Sequence, residues 1–373
     1  MNVPSLRSTF SRLHDVDAFA VGASSAQLTW RRAEPGATLR VAGRTLELDR
    51  PAGALTVDAL EPDTDYVVEF QSGSEASTLA VRTMPDAGPV RSRFATISDI
   101  HLGLDGFGVG KRIKSGTTPP HPLPCAIAAV EAAQEWGAEV LLIKGDLTES
   151  GWIEEWELAR SLFRAIDIPF VLTGGNHDGF ERAEVEPIDG MKIAGADYAP
   201  VQTVDLDGIR LILAETSLRR KGNGRISPVA DELVAAATVD TPVFIGMHHN
   251  LQQLPIPWFW PPGISSSDAA PVLERLRKAN PNIFMSSGHT HRNRRIDFND
   301  IVFTEVASTS DYPGVWAGYE VTDTVIRQTV HRIASDQAIE WSEKATKAVG
   351  GVWPRWSQGR LEDRSVDLHL RSR

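Results

Sequence analysis

The chain has 373 residues, 42% hydrophobic and 23% charged, enough apolar material for a large core in two domains and too much for a disordered chain. Forty-nine acidic against 38 basic residues leave a formal charge of -11, a field that repels nucleic-acid polymers and anionic membranes, so a small anionic substrate needs a local cationic site. The single cysteine, Cys125, permits no intrachain disulfide, and no secretory or membrane-spanning apolar stretch is present, so a soluble, cytoplasmic protein is expected.

From about residue 20 to 83 apolar residues alternate between turns: Ala26, Leu28 and Trp30, then Leu39 and Val41, Leu46 and Leu48, Leu55 and Val57, and Tyr66, Val68 and Phe70. A period of two predicts a small all-β domain. Its segment Leu60-Glu61-Pro62-Asp63-Thr64-Asp65-Tyr66 resembles fibronectin type III sandwiches, in which a tyrosine hydroxyl ties the corner between the sheets to nearby backbone. Met84-Pro85-Asp86-Ala87-Gly88-Pro89 reads as a linker, which places a boundary at residue 88.

The texture then changes to strands alternating with helices. Strands are expected over 93–98, 139–143, 168–172, 209–214, 243–247 and 283–285, with helices over 124–136, 153–166 and 268–279. Strands at 302–306, 315–321 and 325–330 are expected to form a closing antiparallel set, giving a layered α/β domain over 89–335. The tail, 336–373, carries Ile339, Trp341, Val349, Trp353 and Trp356, and covers either this domain or a partner subunit.

Polar clusters follow these strands: Asp99-Ile100-His101, Gly145-Asp146, Gly175-Asn176-His177-Asp178, His248-His249-Asn250 and Gly288-His289-Thr290-His291. Strand C-termini converge in open α/β sheets, so five clusters far apart in sequence can face one crevice. Six of the ten histidines fall within them. The donor set is Asp, His and Asn without thiolate, which suits Mn, Fe or Zn, and seven ligands are too many for one four-coordinate ion. Two divalent or trivalent ions are implied, sharing a carboxylate at a spacing of ~3.5–4 Å suited to in-line displacement at phosphorus.

In this order the motifs resemble those of calcineurin-like metallophosphoesterases, over roughly residues 92 to 335. The resemblance implies a two-sheet αββα sandwich and a metal-dependent phosphoester hydrolase. It implies one metal on Asp99, His101, Asp146 and His291, and a second on Asp146, Asn176, His248 and His289. It gives His177 the role of protonating the leaving oxygen, held by Asp178. The run Gly145-Asp146-Leu147-Thr148-Glu149-Ser150-Gly151 is similar to class III cyclic-nucleotide phosphodiesterases, so a small or cyclic-nucleotide-like phosphodiester is the expected substrate. A β-domain ahead of such a catalytic domain resembles purple acid phosphatases, but Glu149 stands where those carry tyrosine. A phosphomonoesterase with the same metal core and a non-catalytic scaffold of the same fold are the alternatives.

Gly174 replaces the family's usual proline and is expected to loosen the loop bearing Asn176 and His177. His249 and Asn250 face substrate or pack behind the metals. The insertion 102–124, with Lys111, Arg112 and Lys114, either reaches over the site or is a solvated loop. Trp258, in a proline-braced aromatic run, offers stacking to a nucleobase or ordinary loop packing, and Arg292 is near enough to contact substrate. Cys125 and His121 are read as packed side chains. Composition and motifs leave oligomeric state open.

Overall fold

The computed structural model describes residues 16–252, 261–298 and 301–371. Residues 16–82 fold as β1 (Val16–Val21), β2 (Ser25–Trp30), β3 (Thr38–Val41), β4 (Arg44–Glu47), β5 (Gly53–Asp58), β6 (Asp65–Ser72) and β7 (Glu75–Arg82). Strands β1, β2 and β5 form one sheet, and β4, β3, β6 and β7 form another. Leu28, Trp30, Leu39, Val57, Val68 and Phe70 belong to one buried cluster, the consequence of the period-two pattern. At the corner the Tyr66 hydroxyl accepts the Glu61 N–H at 2.8 Å.

The chain continues with β8 (Ser92–Ile97), a short hairpin of β9 (Gly106–Phe107) and β10 (Ile113–Lys114), α1 (Pro122–Glu135), β11 (Val140–Lys144), α2 (Ile153–Phe163), β12 (Phe170–Thr173) and α3 (Pro187–Ala194). Then come β13 (Val201–Leu206), β14 (Ile209–Ala214), α4 (Ala230–Ala237), β15 (Val243–Met247), α5 (Ser266–Ala279), β16 (Ile283–Ser287), β17 (Arg294–Phe298) and β18 (Ile301–Glu305). The last elements are β19 (Val315–Val321), β20 (Val325–Arg332), α6 (Asp336–Ala345), α7 (Trp353–Ser357), α8 (Leu361–Arg364) and β21 (Ser365–His369).

Two six-stranded sheets result, in the orders β12-β11-β8-β19-β20-β21 and β13-β14-β15-β16-β18-β17. Central strands such as β11 and β15 are apolar on both faces because both faces are covered. In β11, Val140 and Leu142 join a cluster with Phe244, Phe284 and Tyr319 between the sheets, whereas Leu141 and Ile143 pack with Ala129 and Trp156 of α1 and α2. In β15, Ile245 and Met247 pack with Leu233 and Leu273 of α4 and α5. The layers are therefore helices, sheet, sheet, helices.

The expected closing set is corrected in one member: β18 pairs parallel to β16 in the second sheet, while β19 and β20 pair antiparallel in the first. The intervening residues 306–314 cross between the sheets, which strand periodicity cannot reveal. The segment read as a tail is part of the layered domain, since β21 pairs with β20 and extends the first sheet. No helix of the described residues is long and apolar enough to cross a membrane.

Candidate metal centre

Parallel strands β8, β11 and β12, and β15 beside β16, end at the same edge of the two sheets. The loops that leave them carry Asp99 and His101, Asp146, Asn176 and His177, His248 and His249, and His289 and His291. Five of these residues have left-handed backbone: Asp99, His101, Asp146, His289 and His291, with φ of 54°, 55°, 49°, 70° and 51°. Such backbone is costly for a side chain bearing Cβ and persists only where its surroundings hold it. Here Asp146 O accepts the N–H groups of Ile100 and His101 at 2.9 and 3.0 Å, and the Asp99 carboxylate accepts His289 N–H at 2.9 Å. Two of the motif glycines are required by close approach: a Cβ on Gly175 would lie 2.1 Å from Asp146 Oδ1, and one on Gly288 2.3 Å from Asp99 Oδ2.

The seven residues proposed as ligands come together in two adjoining groups. In one, His101 Nε2 and His291 Nε2 are 3.2 Å apart, with Asp99 Oδ1 3.4 Å from His291 Nε2. In the other, His248 Nε2 lies 3.2 Å from His289 Nδ1 and 3.1 Å from Asn176 Oδ1. Asp146 Oδ2 faces both, 3.8 Å from His101 Nε2 and 3.3 Å from His248 Nε2.

The outward ring nitrogens explain why these residues fit a cation. His291 Nδ1 donates to Asp311 at 2.5 Å, His248 Nδ1 to Lys144 O at 2.9 Å, and His289 Nε2 to Pro262 O at 3.2 Å. In the neutral imidazoles the inward nitrogens then carry lone pairs, which repel one another at such distances unless a positive charge lies among them. When protonated, these imidazoles supply such a charge themselves. Burial opposes ionisation of Asp146, but the charges of His248 and His177 outweigh it and hold that carboxyl well below its usual range. Burial likewise opposes a charge on His291, and the Asp311 and Asp99 carboxylates outweigh it and raise its pKa.

His177 stands against the first group, its ring 4.6 Å from that of His101. The expectation that Asp178 orients it is corrected. Both Asp178 oxygens accept other donors, the N–H groups of Leu147, Thr148 and Gly175 and the Thr148 hydroxyl, which ties the two loops together. His177 Nδ1 instead donates to Glu149 O at 2.9 Å. Glu149 also places its carboxylate 3.0 Å from His101 Nδ1 and 2.6 Å from Lys111 Nζ, so the β9–β10 insertion does reach the site.

Arg292 is also corrected as a substrate contact: its guanidinium pairs with buried Glu305 at 2.6 Å and stacks on Trp356. His249 and Asn250 are both buried. Trp258 lies outside the described residues. Gly174 does not leave its loop unbraced, because its N–H donates to Glu215 at 3.0 Å, a bond proline could not make.

Three residues had no motif to reveal them. Asp311 and Trp353, whose Nε1 donates to Asp311 at 3.4 Å, reach His291 from 20 and more residues away in sequence. Lys144 did leave a signal, a charged residue that closes the apolar run of β11. Its ammonium is fully buried against Ser286 Oγ and Ser287 O, and burial pushes its pKa down to about 7.

A family model described as calcineurin-like phosphoesterase matches residues 92–293. A relative from Arcobacter nitrofigilis named probable glycerophosphodiester phosphodiesterase is 25% identical over 187 residues, 46% of this chain. The match spans 63% of that relative's length. Among solved structures, a dimetal phosphatase from Danio rerio aligns at TM-score 0.50 and 12% identity over 66% of this chain and 98% of its own, a likeness of fold. A purple acid phosphatase from yellow lupin (Lupinus luteus) aligns at TM-score 0.46 and 13% identity over 84% and 71%.

Proposed function

From the premise that the chain belongs to the calcineurin-like phosphoesterases, whose model covers more than half of it, we propose that it is a phosphodiesterase using two metal ions on a small phosphodiester. The observation that carries the two-ion reading is the position of Asp146 Oδ2 between His101 and His248. Asp99, His101, Asp146 and His291 would hold one ion, and Asp146, Asn176, His248 and His289 the other. Such ions polarise phosphoryl oxygens and supply a nucleophile from water near neutral pH. Two divalent charges against the carboxylates of Asp99 and Asp146 leave a local excess of about +2, which attracts an anion to a chain whose net charge repels it.

His177 is the group suited to protonate the leaving oxygen, since its Nδ1 is committed to Glu149 O and Nε2 is left for that proton. Preference for diesters is supported by the name of the Arcobacter relative, which makes glycerophosphodiesters, beside cyclic nucleotides, the first compounds to try. We read the β1–β7 unit as fibronectin type III-like, from its three- and four-stranded sheets and the Tyr66 corner, and place the protein in the cytoplasm.

The test is elemental analysis of metal-replete protein followed by a substrate panel: a bis-aryl phosphate, an aryl monophosphate, 2′,3′- and 3′,5′-cyclic nucleotides and a glycerophosphodiester. Two ions per chain and faster turnover of diesters are expected, with activity abolished by chelation. Preference for the monoester would make the protein a phosphomonoesterase. At most one ion, with turnover indifferent to chelator, would remove the two-ion reading, and no turnover with any metal would point to a scaffold.

A further inference from the structure

His249 is the one histidine of the strand-end motifs to which the two-ion arrangement gives no task. It is fully buried, beside His248 and His289, with ring centroids 4.8 and 4.7 Å away. We propose that His249 is a further ligand, through Nε2, at the metal position that His248 and His289 face. The proposal rests on the metal-centre reading above and adds a third imidazole to it.

Three observations carry it. One ligand atom from each of His248, His249 and His289 can be chosen so that all lie within 4.8 Å of one another, close enough to surround a single ion. His249 Nδ1 is already engaged, 2.9 Å from Thr216 Oγ1, whereas Nε2 is buried and has no hydrogen-bond partner among the described residues. Buried polar atoms are nearly always satisfied, and an orphan beside two convergent imidazoles calls for an explanation such as an ion. The ring is also held in place: a Cβ on Gly224 would lie 2.4 Å from His249 Cγ, so glycine backbone closes that side.

The consequence is chemical. With His248, His249 and His289 beside Asn176 and Asp146, the second position becomes nitrogen-rich, while the first has Asp99, Asp146, His101 and His291. Imidazole favours zinc, cobalt, nickel and copper, whereas oxygen donors suit manganese and magnesium, so the two positions should select differently among divalent cations.

The test is cobalt(II) loading of the full chain, reading stoichiometry by dialysis, each dissociation constant by chelator competition, and the visible ligand-field bands. Wild type is expected to take two ions per chain. His249→Gln, whose amide can keep a bond to Thr216, should hold one ion as wild type does and weaken the other about 10-fold or more, with altered bands. Thr216→Val should weaken the same ion less, by freeing the ring. Unchanged affinities and bands in His249→Gln would overturn the proposal while leaving the metal centre intact. Fewer than two ions in wild type would overturn the underlying reading instead. Circular dichroism checks that the variants fold, and if His249→Gln does not, an unaltered weaker ion in Thr216→Val overturns the proposal.

Discussion

His291 can present Nε2 inward only while something holds Nδ1, and the Asp311 carboxylate does so at 2.5 Å. A carboxylate behind a ligating histidine fixes its tautomer and raises its basicity, and losing one costs about 10–100-fold in metal affinity. Asp311→Asn, which keeps the volume, is therefore expected to weaken one metal by that factor, measured by chelator competition. An unchanged constant would show that Trp353 and the surrounding packing hold His291 without the charge. A different buried histidine, away from the site, contributes to acid sensitivity. His331 stacks on Trp316 at 4.4 Å, and burial pushes its pKa from 6.5 down to about 4. The unfolded chain takes up this proton as pH falls below about 6.5 and the folded chain only near 4, so the contribution is complete above 6.5 and is lost as pH falls through that window. At ~1.4 kcal/mol per pH unit the loss across that window is about 3.5 kcal/mol. His331→Phe should flatten the fall in stability from pH 7 to pH 4.5, read by urea unfolding at each pH. An unchanged slope would mean that other groups cause it.

The elements after residue 335 attach by polar anchors as much as by apolar burial. Arg364, at the end of α8, is 2% exposed, and its guanidinium donates to the carbonyls of Ala18, Phe19, Gln358 and Gly359. Arg364→Ala would leave several buried carbonyls without donors, at about 1–3 kcal/mol for each that water cannot reach. The variant should lose about 3 kcal/mol or more in urea unfolding, and β21 should become sensitive to protease. A loss below about 1 kcal/mol would show that water replaces the guanidinium. The same stretch of chain brings α7 to the metal centre, where Trp353 packs edge-on to Phe107 of β9 at 5.2 Å. The hairpin and the C-terminal helices thus brace one another beside His291 and Glu149.

Across the molecule, the first strands are joined to the layered domain by bonds that resemble one more rung of a sheet. The Gln27 amide donates to Arg332 O at 3.0 Å and accepts Arg332 N–H at 2.7 Å, and Arg31 pairs with Glu343 at 2.6 Å. These groups are largely buried, so separating the units would strand them. The wild-type chain is expected to unfold in one cooperative transition that coincides for far-ultraviolet dichroism and tryptophan fluorescence. Gln27→Leu should lower its midpoint, since it orphans both backbone groups of Arg332 at about 1–3 kcal/mol each. Two separate transitions in wild type would mean that the contact couples the units weakly.

What was legible from the sequence alone were features carried by short runs. Strands at 209–214, 243–247 and 315–321 have the bounds expected of them, because strands buried on both faces are mostly apolar runs between turn residues. The ligand candidates were legible because each follows such a strand and needs glycine or left-handed backbone beside it, which compresses the geometry into motifs a few residues long. Half-exposed β13, β17 at a sheet edge, and short α3 and α4 carry weak periodicity and passed unread. The placement of β18 in the second sheet, the bond from Asp311 to His291, the turn of Asp178 away from His177 and the capture of Arg292 by Glu305 were decided by the tertiary structure. Each depends on which side chain meets which across a fold, through pairings that no local spacing encodes and that packing alone selects.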